Sequence, residues 1–341
     1  MSGINQRVKI LKSEEAIASQ KRILVITLSN IGDVILTTPV IMALHAHFPE
    51  AKMTVVVGPR AKDVLAGSRF IDKLVIYDKH ASLPEKWRFW RSLVGEKYEW
   101  VVDLRNTAIP YLVSARKKSS PFRYPKPVSF KERHLQVIQK MGLVTDNIQP
   151  FDFFSEADEA SMNKKIANKG ILPYQEYILV APLAASQLKS WSLENYRRVI
   201  ERLISTRSEN ILLVGSPKEK EVLEPLVSVA PGRVYNLAGD TTLRELAALV
   251  TKAVLVLAND SSVMQLSYEM NRPSVALFGP TNHMASGRTG PFFRLLREAY
   301  FCSPCDLAQC RFERRACLDD LKAERVFEAC TELLAQKIEK L

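Results

Sequence analysis

Short runs of β-branched and aliphatic residues alternate with helical patterns along this chain, and the alternation then starts again. From Arg22 onward, "RILVITLS", "KMTVVVGP", "KLVIYDK" and "EWVVDLR" read as strands, with "DVILTTPVIMALHAHF", "RAKDVLAGS" and "PEKWRFWRSLVGEKY" as the helices between them. Strands that are apolar at nearly every position are covered on both faces, which requires a parallel sheet with helices on either side. A second series begins near Glu176: "YILVAPL", "NILLVGSP", "VYNLAG", "AVLVLAND" and "PSVALFGP", again with helical segments between. A single sheet of about nine or ten strands explains this restart less well than two doubly wound halves. The fold class is therefore α/β, with two Rossmann-like parallel-sheet domains. The expected divisions are 1–155, 156–317 and a final amphipathic helix within 318–341 that packs back on the first domain. Ligands of such folds sit beyond the carboxyl ends of the strands, so the default site is the cleft between two facing halves.

Composition excludes several classes. A chain of 341 residues with 47% hydrophobic and 25% charged residues folds as a globular protein. No apolar run approaches the roughly 18–20 residues of a membrane span. The first 22 residues lack a sustained apolar stretch, so they do not read as a secretory signal and a cytoplasmic location is expected. The net charge of +11 favours an anionic partner. Positive charge is densest from Ser114 to His134, which includes Arg116, Lys117 and Lys118 and three prolines and reads as a loop. That loop either meets anionic headgroups or acceptor phosphates, or is simply a solvated basic loop. No RNA-recognition or helix-turn-helix signature is present, so nucleic acid is not the expected partner. No G-x-G-x-x-G follows a strand, which argues against a dinucleotide enzyme.

Four strand ends carry polar residues suited to chemistry. The first, Ser29-Asn30-Ile31-Gly32-Asp33, has the outline of a phosphate-binding turn, yet Asp33 would repel a phosphate. The second runs from Ala181 to Tyr196 and contains Ser186 and Lys189. Lys189 is either a solvated charge or a cation aimed at a leaving phosphate; Trp191 reads as core. The third, Asn259 to Gln265, offers Asp260, Ser261 and Ser262 at a helix start, which either caps the helix or presents N–H groups to an anion. The fourth contains Gly279 and Thr281 at the next strand end, and two such loops side by side suit a diphosphate.

Four of the five cysteines fall in the pattern Cys302-x2-Cys305-x4-Cys310-x6-Cys317. In a reducing compartment such a set suggests a structural zinc or iron, or else four free thiols on a loop. Cys330 reads as core of the last helix.

The blocks "IGDVILTTPVIMALHAHFPEAKMTVVV", "APLAASQLKSW", "NDSSVMQLSYEMNRPSVALFGPT" and "CSPCDLAQCRFERRACLDDL", in this order and spacing, resemble the ADP-heptose:lipopolysaccharide heptosyltransferase family from about Arg22 to about Leu321. The resemblance implies a GT-B fold and inverting transfer from a nucleotide-diphosphate sugar, usually ADP-heptose. The usual acceptor is the lipopolysaccharide core at the inner face of the inner membrane, which implies peripheral contact with an anionic membrane. By resemblance Asp33 is the general base, with Asn30 and Gly32 on the acceptor side. Lys189 contacts the diphosphate and Asp260 the sugar hydroxyls, and Ser186 is a further donor-binding residue. Ser261, Ser262, Gln265, Gly279 and Thr281 complete the donor loops, and Glu219 is a candidate for the ribose. No cofactor is implied for catalysis. Many members carry a similar cysteine-rich tail, and relatives that glycosylate autotransporters bind iron there. The family usually has Gly where this chain has Ser262 and His where it has Gln265, and some members carry hydroxyls at Ala184 and Ala185. These departures leave the exact sugar open. A nucleotide-sugar epimerase and a non-catalytic nucleotide-sugar binder are the alternatives.

Overall fold

The computed structural model describes residues 21–121, 129–172 and 175–336. They fall into two compact units. The first holds residues 21–30, 37–121 and 134–151; the second holds 31–36, 129–133, 152–172 and 175–336.

The first sheet consists of β1 (Arg22–Ile26), β2 (Lys52–Val57), β3 (Lys73–Ile76), β4 (Lys97–Asp103) and β5 (Ser114–Lys118). Its order is β3-β2-β1-β4-β5 and every pairing is parallel. The helices of this stretch are α1 (Ile31–Ile35), α2 (Thr38–His47), α3 (Lys62–Leu65), α4 (Leu83–Val94), α5 (Ile109–Leu112) and α6 (Phe130–Lys140). Leu24 and Ile26 of β1, Val56 and Val101 form a core with Phe89 and Leu93 of α4 and Ile109 of α5.

The second sheet consists of β6 (Tyr177–Ala181), β7 (Asn210–Leu213), β8 (Val234–Asn236), β9 (Leu255–Asn259), β10 (Ser274–Phe278) and β11 (Phe293–Arg297). Its order is β11-β10-β9-β6-β7-β8, again wholly parallel. Helices α7 (Glu156–Ala167), α8 (Leu193–Thr206), α9 (Lys220–Val227), α10 (Leu243–Lys252), α11 (Ser262–Glu269), α12 (His283–Ser286), α13 (Ala316–Asp319) and α14 (Ala323–Ala335) belong to it. Both sheets reverse direction of growth beside their first strand, the doubly wound pattern that the sequence implies.

The structure differs from the sequence reading in five places. The single helix expected over "DVILTTPVIMALHAHF" is two helices, because Pro39 sits in the first turn of α2 and cannot donate to the carbonyl four residues back. The start of the basic "loop" at Ser114 is strand β5, an edge strand, where Lys and Arg side chains discourage pairing with another chain. Its end is part of α6, and residues 122–128 lie outside the described residues. The second sheet does not close at β10: β11 adds a further edge strand. Finally, α14 packs on the second sheet, not the first domain. Val326, Ala329, Cys330 and Leu333 recur at helical spacing and are buried with Leu255, Leu257, Val275 and Leu277 of β9 and β10.

Candidate active site

Strands β6 and β9 are neighbours, and one buried side chain ties their carboxyl ends together. Asn259 is 0% exposed. Its amide oxygen accepts from the Trp191 N–H at 3.0 Å, and its nitrogen donates to the Pro182 carbonyl at 2.7 Å. The loop after β6 is closed by Ser190, whose hydroxyl accepts from the Ala184 N–H at 2.9 Å and donates to the Ser186 carbonyl at 3.3 Å. This geometry brings Lys189 to Asp260, Nζ to Oδ2, at 2.8 Å. Ser186 takes part through its carbonyl; its hydroxyl does not cap the short turn that follows. Trp191 is buried and meets Tyr196 edge-on, as a core residue does.

Helix α11 starts beside this ion pair. Ser261 is its N-cap in extended conformation, and the side chain makes no capping bond. Among the described residues, three buried polar atoms of these loops lack a partner: Ser261 Oγ, Thr281 Oγ1 and Gln265 Oε1. A buried polar atom left unpaired is costly, and such a group in a cluster suits a polar ligand. Gln265 uses its nitrogen to hold the Ser286 carbonyl at 3.0 Å. Helix α1 belongs to the same unit as α11. A Cβ built on Gly32 would lie 3.6 Å from Gln265 Cγ and 3.9 Å from Ser262 Cα, so the Gly32-Asp33 pair is seated at the first turn of α11.

The cysteine-rich tail supports both loops. Ser303 donates to the Gly279 carbonyl at 2.6 Å, and the Cys305 and Asp306 N–H groups donate to the Pro280 carbonyl at 2.8 and 2.9 Å. Asp306 in turn accepts from the Asn282 N–H at 3.0 Å. Gly279 is closely packed here: a Cβ would stand 3.0 Å from Leu318 Cβ. Arg315 donates to the Gln187 carbonyl and, at 2.9 Å, to the Ser190 carbonyl, and pairs with Asp319 at 2.9 Å. The Trp191 indole donates to the Leu321 carbonyl at 3.2 Å. Arg315 and Asn259 were not among the expected site residues. An arginine more than a hundred residues from the loop it holds leaves no local signature.

The five thiols are free. Burial, with Cys302, Cys305, Cys310 and Asp319 as charged neighbours, pushes the Cys317 thiol up to about 11, so the four tail cysteines share one locality. Among the described residues, however, no group of three or more His, Cys, Asp or Glu is arranged to hold a metal ion. Cys330 is buried in the second core.

The remaining expected residues divide between the units. Asn30 belongs to the first unit. The neighbouring Ser29 is crowded against Gly58, where a Cβ would lie 2.7 Å from the serine Cβ. Glu219 turns its carboxylate to the Ser216 N–H at 2.5 Å and so caps its own turn. Of the basic segment, Arg116 pairs with Glu99 at 2.7 Å, and Lys117 donates to the Met141 carbonyl at 2.5 Å while lying over the Trp100 ring.

The chain is 27% identical over 282 residues to lipopolysaccharide heptosyltransferase 3 of Escherichia coli, covering 74% of this chain and 82% of the relative. Its fold is similar to that of a glycosyl transferase family 9 structure from Veillonella parvula DSM 2008, with a TM-score of 0.76, 22% identity, and 93% and 98% of the two chains covered. It is also similar to that of the E. coli ADP-heptose lps heptosyltransferase II, with a TM-score of 0.71, 20% identity, and 93% and 99% covered. The family model described as glycosyltransferase family 9 (heptosyltransferase) matches residues 86–316, which span most of the second unit and its loops. The chain belongs to glycosyltransferase family 9, the heptosyltransferases.

Proposed function

We propose that this glycosyltransferase moves a heptose from ADP-heptose to an acceptor of the lipopolysaccharide core, with inversion at the anomeric carbon. Relatives named for lipopolysaccharide heptosyl transfer and for ADP-heptose support the substrate class. The observation that carries the mechanism is the seating of Gly32 against Ser262 and Gln265, which sets the Asp33 segment at the start of the donor helix.

The acceptor hydroxyl gives its proton to the Asp33 carboxylate as its oxygen attacks the anomeric carbon. The bond from that carbon to the diphosphate oxygen breaks on the opposite face, and ADP leaves with the electron pair. Lys189 exchanges its bond to Asp260 for the departing diphosphate, and the freed Asp260 accepts from sugar hydroxyls. The unpaired Ser261 and Thr281 hydroxyls meet the same donor. Asn30 faces the acceptor. The acceptor is lipid-linked, so the enzyme works in peripheral contact with an anionic membrane on its cytoplasmic side; no described helix is long and apolar enough to cross a membrane.

The tail braces the loops through Ser303, the Cys305 and Asp306 N–H groups and Arg315, not through its thiols. Among the described residues the thiols do not stand as a ligand set. A structural zinc or iron on Cys302, Cys305, Cys310 and Cys317 would draw them together, and metal analysis of the purified protein tests that.

The Asp33→Asn variant tests the mechanism. Transfer should fall by about 100- to 10,000-fold, the scale of a lost general base, while calorimetric binding of ADP-heptose stays within about twofold. UDP-glucose and GDP-mannose should bind more weakly than ADP-heptose. A variant that still transfers the sugar at near wild-type rate removes Asp33 from the reaction.

A further inference from the structure

Among the described residues, helix α4 shows solvent a face that its own unit does not cover. Its inward side, Phe89 and Leu93, is buried in the first core. Its outward side carries Leu83, Trp87 and Val94, which are 81%, 61% and 51% exposed. These three recur at spacings of four and seven, so they form one stripe along the helix. Arg88 and Arg91 border the stripe and are exposed, and the Arg91 guanidinium lies 5.2 Å from the centre of the Trp87 ring. The helix's one acid, Glu85, is turned to its own N-cap, accepting from Ser82 N and Oγ at 2.9 and 2.7 Å. Helix α5 packs Ile109 into the same core and likewise leaves Tyr111 and Leu112 exposed.

A helix with aliphatic and indole side chains on one side and arginines along the border is built to lie in the plane of a lipid interface. The indole sits at headgroup depth, the aliphatic chains reach the acyl boundary, and the arginines meet anionic headgroups. We propose that the α4 stripe, Leu83, Trp87 and Val94 with Arg88 and Arg91, docks the protein on an anionic bilayer. Charge decides between this occupant and a second copy of the chain. A two-fold pair built on this face would bring its arginine border toward its own image, whereas an anionic surface neutralises it, and the whole chain carries +11. This inference deepens the membrane contact proposed above and rests on that reading for its biological purpose, though not for its geometry.

The test uses the full chain sedimented with vesicles of phosphatidylglycerol and phosphatidylethanolamine, and with phosphatidylcholine vesicles as the neutral control. Wild type should sediment with the anionic vesicles only, and less so at high salt. The L83S/W87S and R88Q/R91Q variants should each lose at least tenfold in apparent affinity. ADP-heptose binding measured on the same samples should be unchanged, which also reports that the variants are folded. Absence of wild-type sedimentation, or variants that sediment like wild type, overturns the proposal. Self-association without lipid that L83S/W87S abolishes assigns the stripe to a second copy and overturns it as well. Failure of ADP-heptose binding in wild type would instead strike the donor reading and leave the vesicle result standing.

Discussion

Arg315 holds a loop to which it does not belong. Its guanidinium joins the carbonyls of Gln187 and Ser190, on either side of Lys189, and is itself fixed by Asp319. A charged donor shared between two carbonyls stabilises one loop conformation, and its removal leaves both acceptors to find water. Arg315→Gln should therefore weaken ADP-heptose binding about tenfold, which corresponds to roughly 1.4 kcal/mol. Arg315→Lys, which keeps the charge without the fork, should recover only part of it. Titration calorimetry reads both; unchanged affinity in the Gln variant would remove Arg315 as a positioning residue. Lys189 and Asp260 stand in a different position, because each lies just past a legible strand end and could be named in advance. Their direct pairing could not, since they are 71 residues apart.

At the scale of elements, α7 and α10 are joined through Glu245. Thr242 and Glu245 form a capping box at the start of α10, a local pattern visible in "TTLRE". The same carboxylate also accepts from Lys165 at 2.7 Å and Ser161 at 2.7 Å, both on α7. Burial works to raise its pKa, but the bonds from Lys165, the Thr242 N–H and Ser161 outweigh it and hold the carboxyl below the usual range. With the folded pKa below the unfolded one, the unfolded state binds more protons. The stabilisation is complete above the ordinary glutamate pKa and is lost as pH falls through the depressed folded value. Glu245→Gln should cost about 2 kcal/mol at pH 7. In urea melts its gap to wild type should shrink as the pH is lowered into that acidic window. A gap independent of pH would mean that the cost comes from packing and not from the ionised carboxylate. Helix α14 makes the same point about legibility. Its apolar spacing was readable, but the sheet on which it packs, through Val326, Ala329, Cys330 and Leu333, was not.

For the whole molecule, the division of residues between the two units makes a prediction. Lys189, Asp260, Ser261, Ser262, Gln265, Gly279 and Thr281 all belong to the second unit, and so does Asp33. A donor present at 100 times its dissociation constant stabilises the state that binds it by about 2.7 kcal/mol. Hydrogen exchange with saturating ADP-heptose should accordingly slow in β6, β9 and β10 and leave β2 and β3 nearly unchanged. Equal slowing in all eleven described strands would contradict a donor site carried by the second unit. Fold class was legible because strand and helix periods are local properties, repeated in two separate series, and two buried parallel sheets are what such runs can form. The same locality made Gly32-Asp33 and Asp260-Ser261-Ser262 stand out as polar breaks after apolar strands. What only the tertiary structure decided was long-range: that the Asp33 segment sits on the first turn of α11, that Asn259 ties β6 to β9, that the cysteine-rich tail braces the loops after β6 and β10, and that α4 turns an indole to solvent. Each depends on segments distant in sequence meeting, or failing to meet, in space, and neither outcome has a period or a motif along the chain.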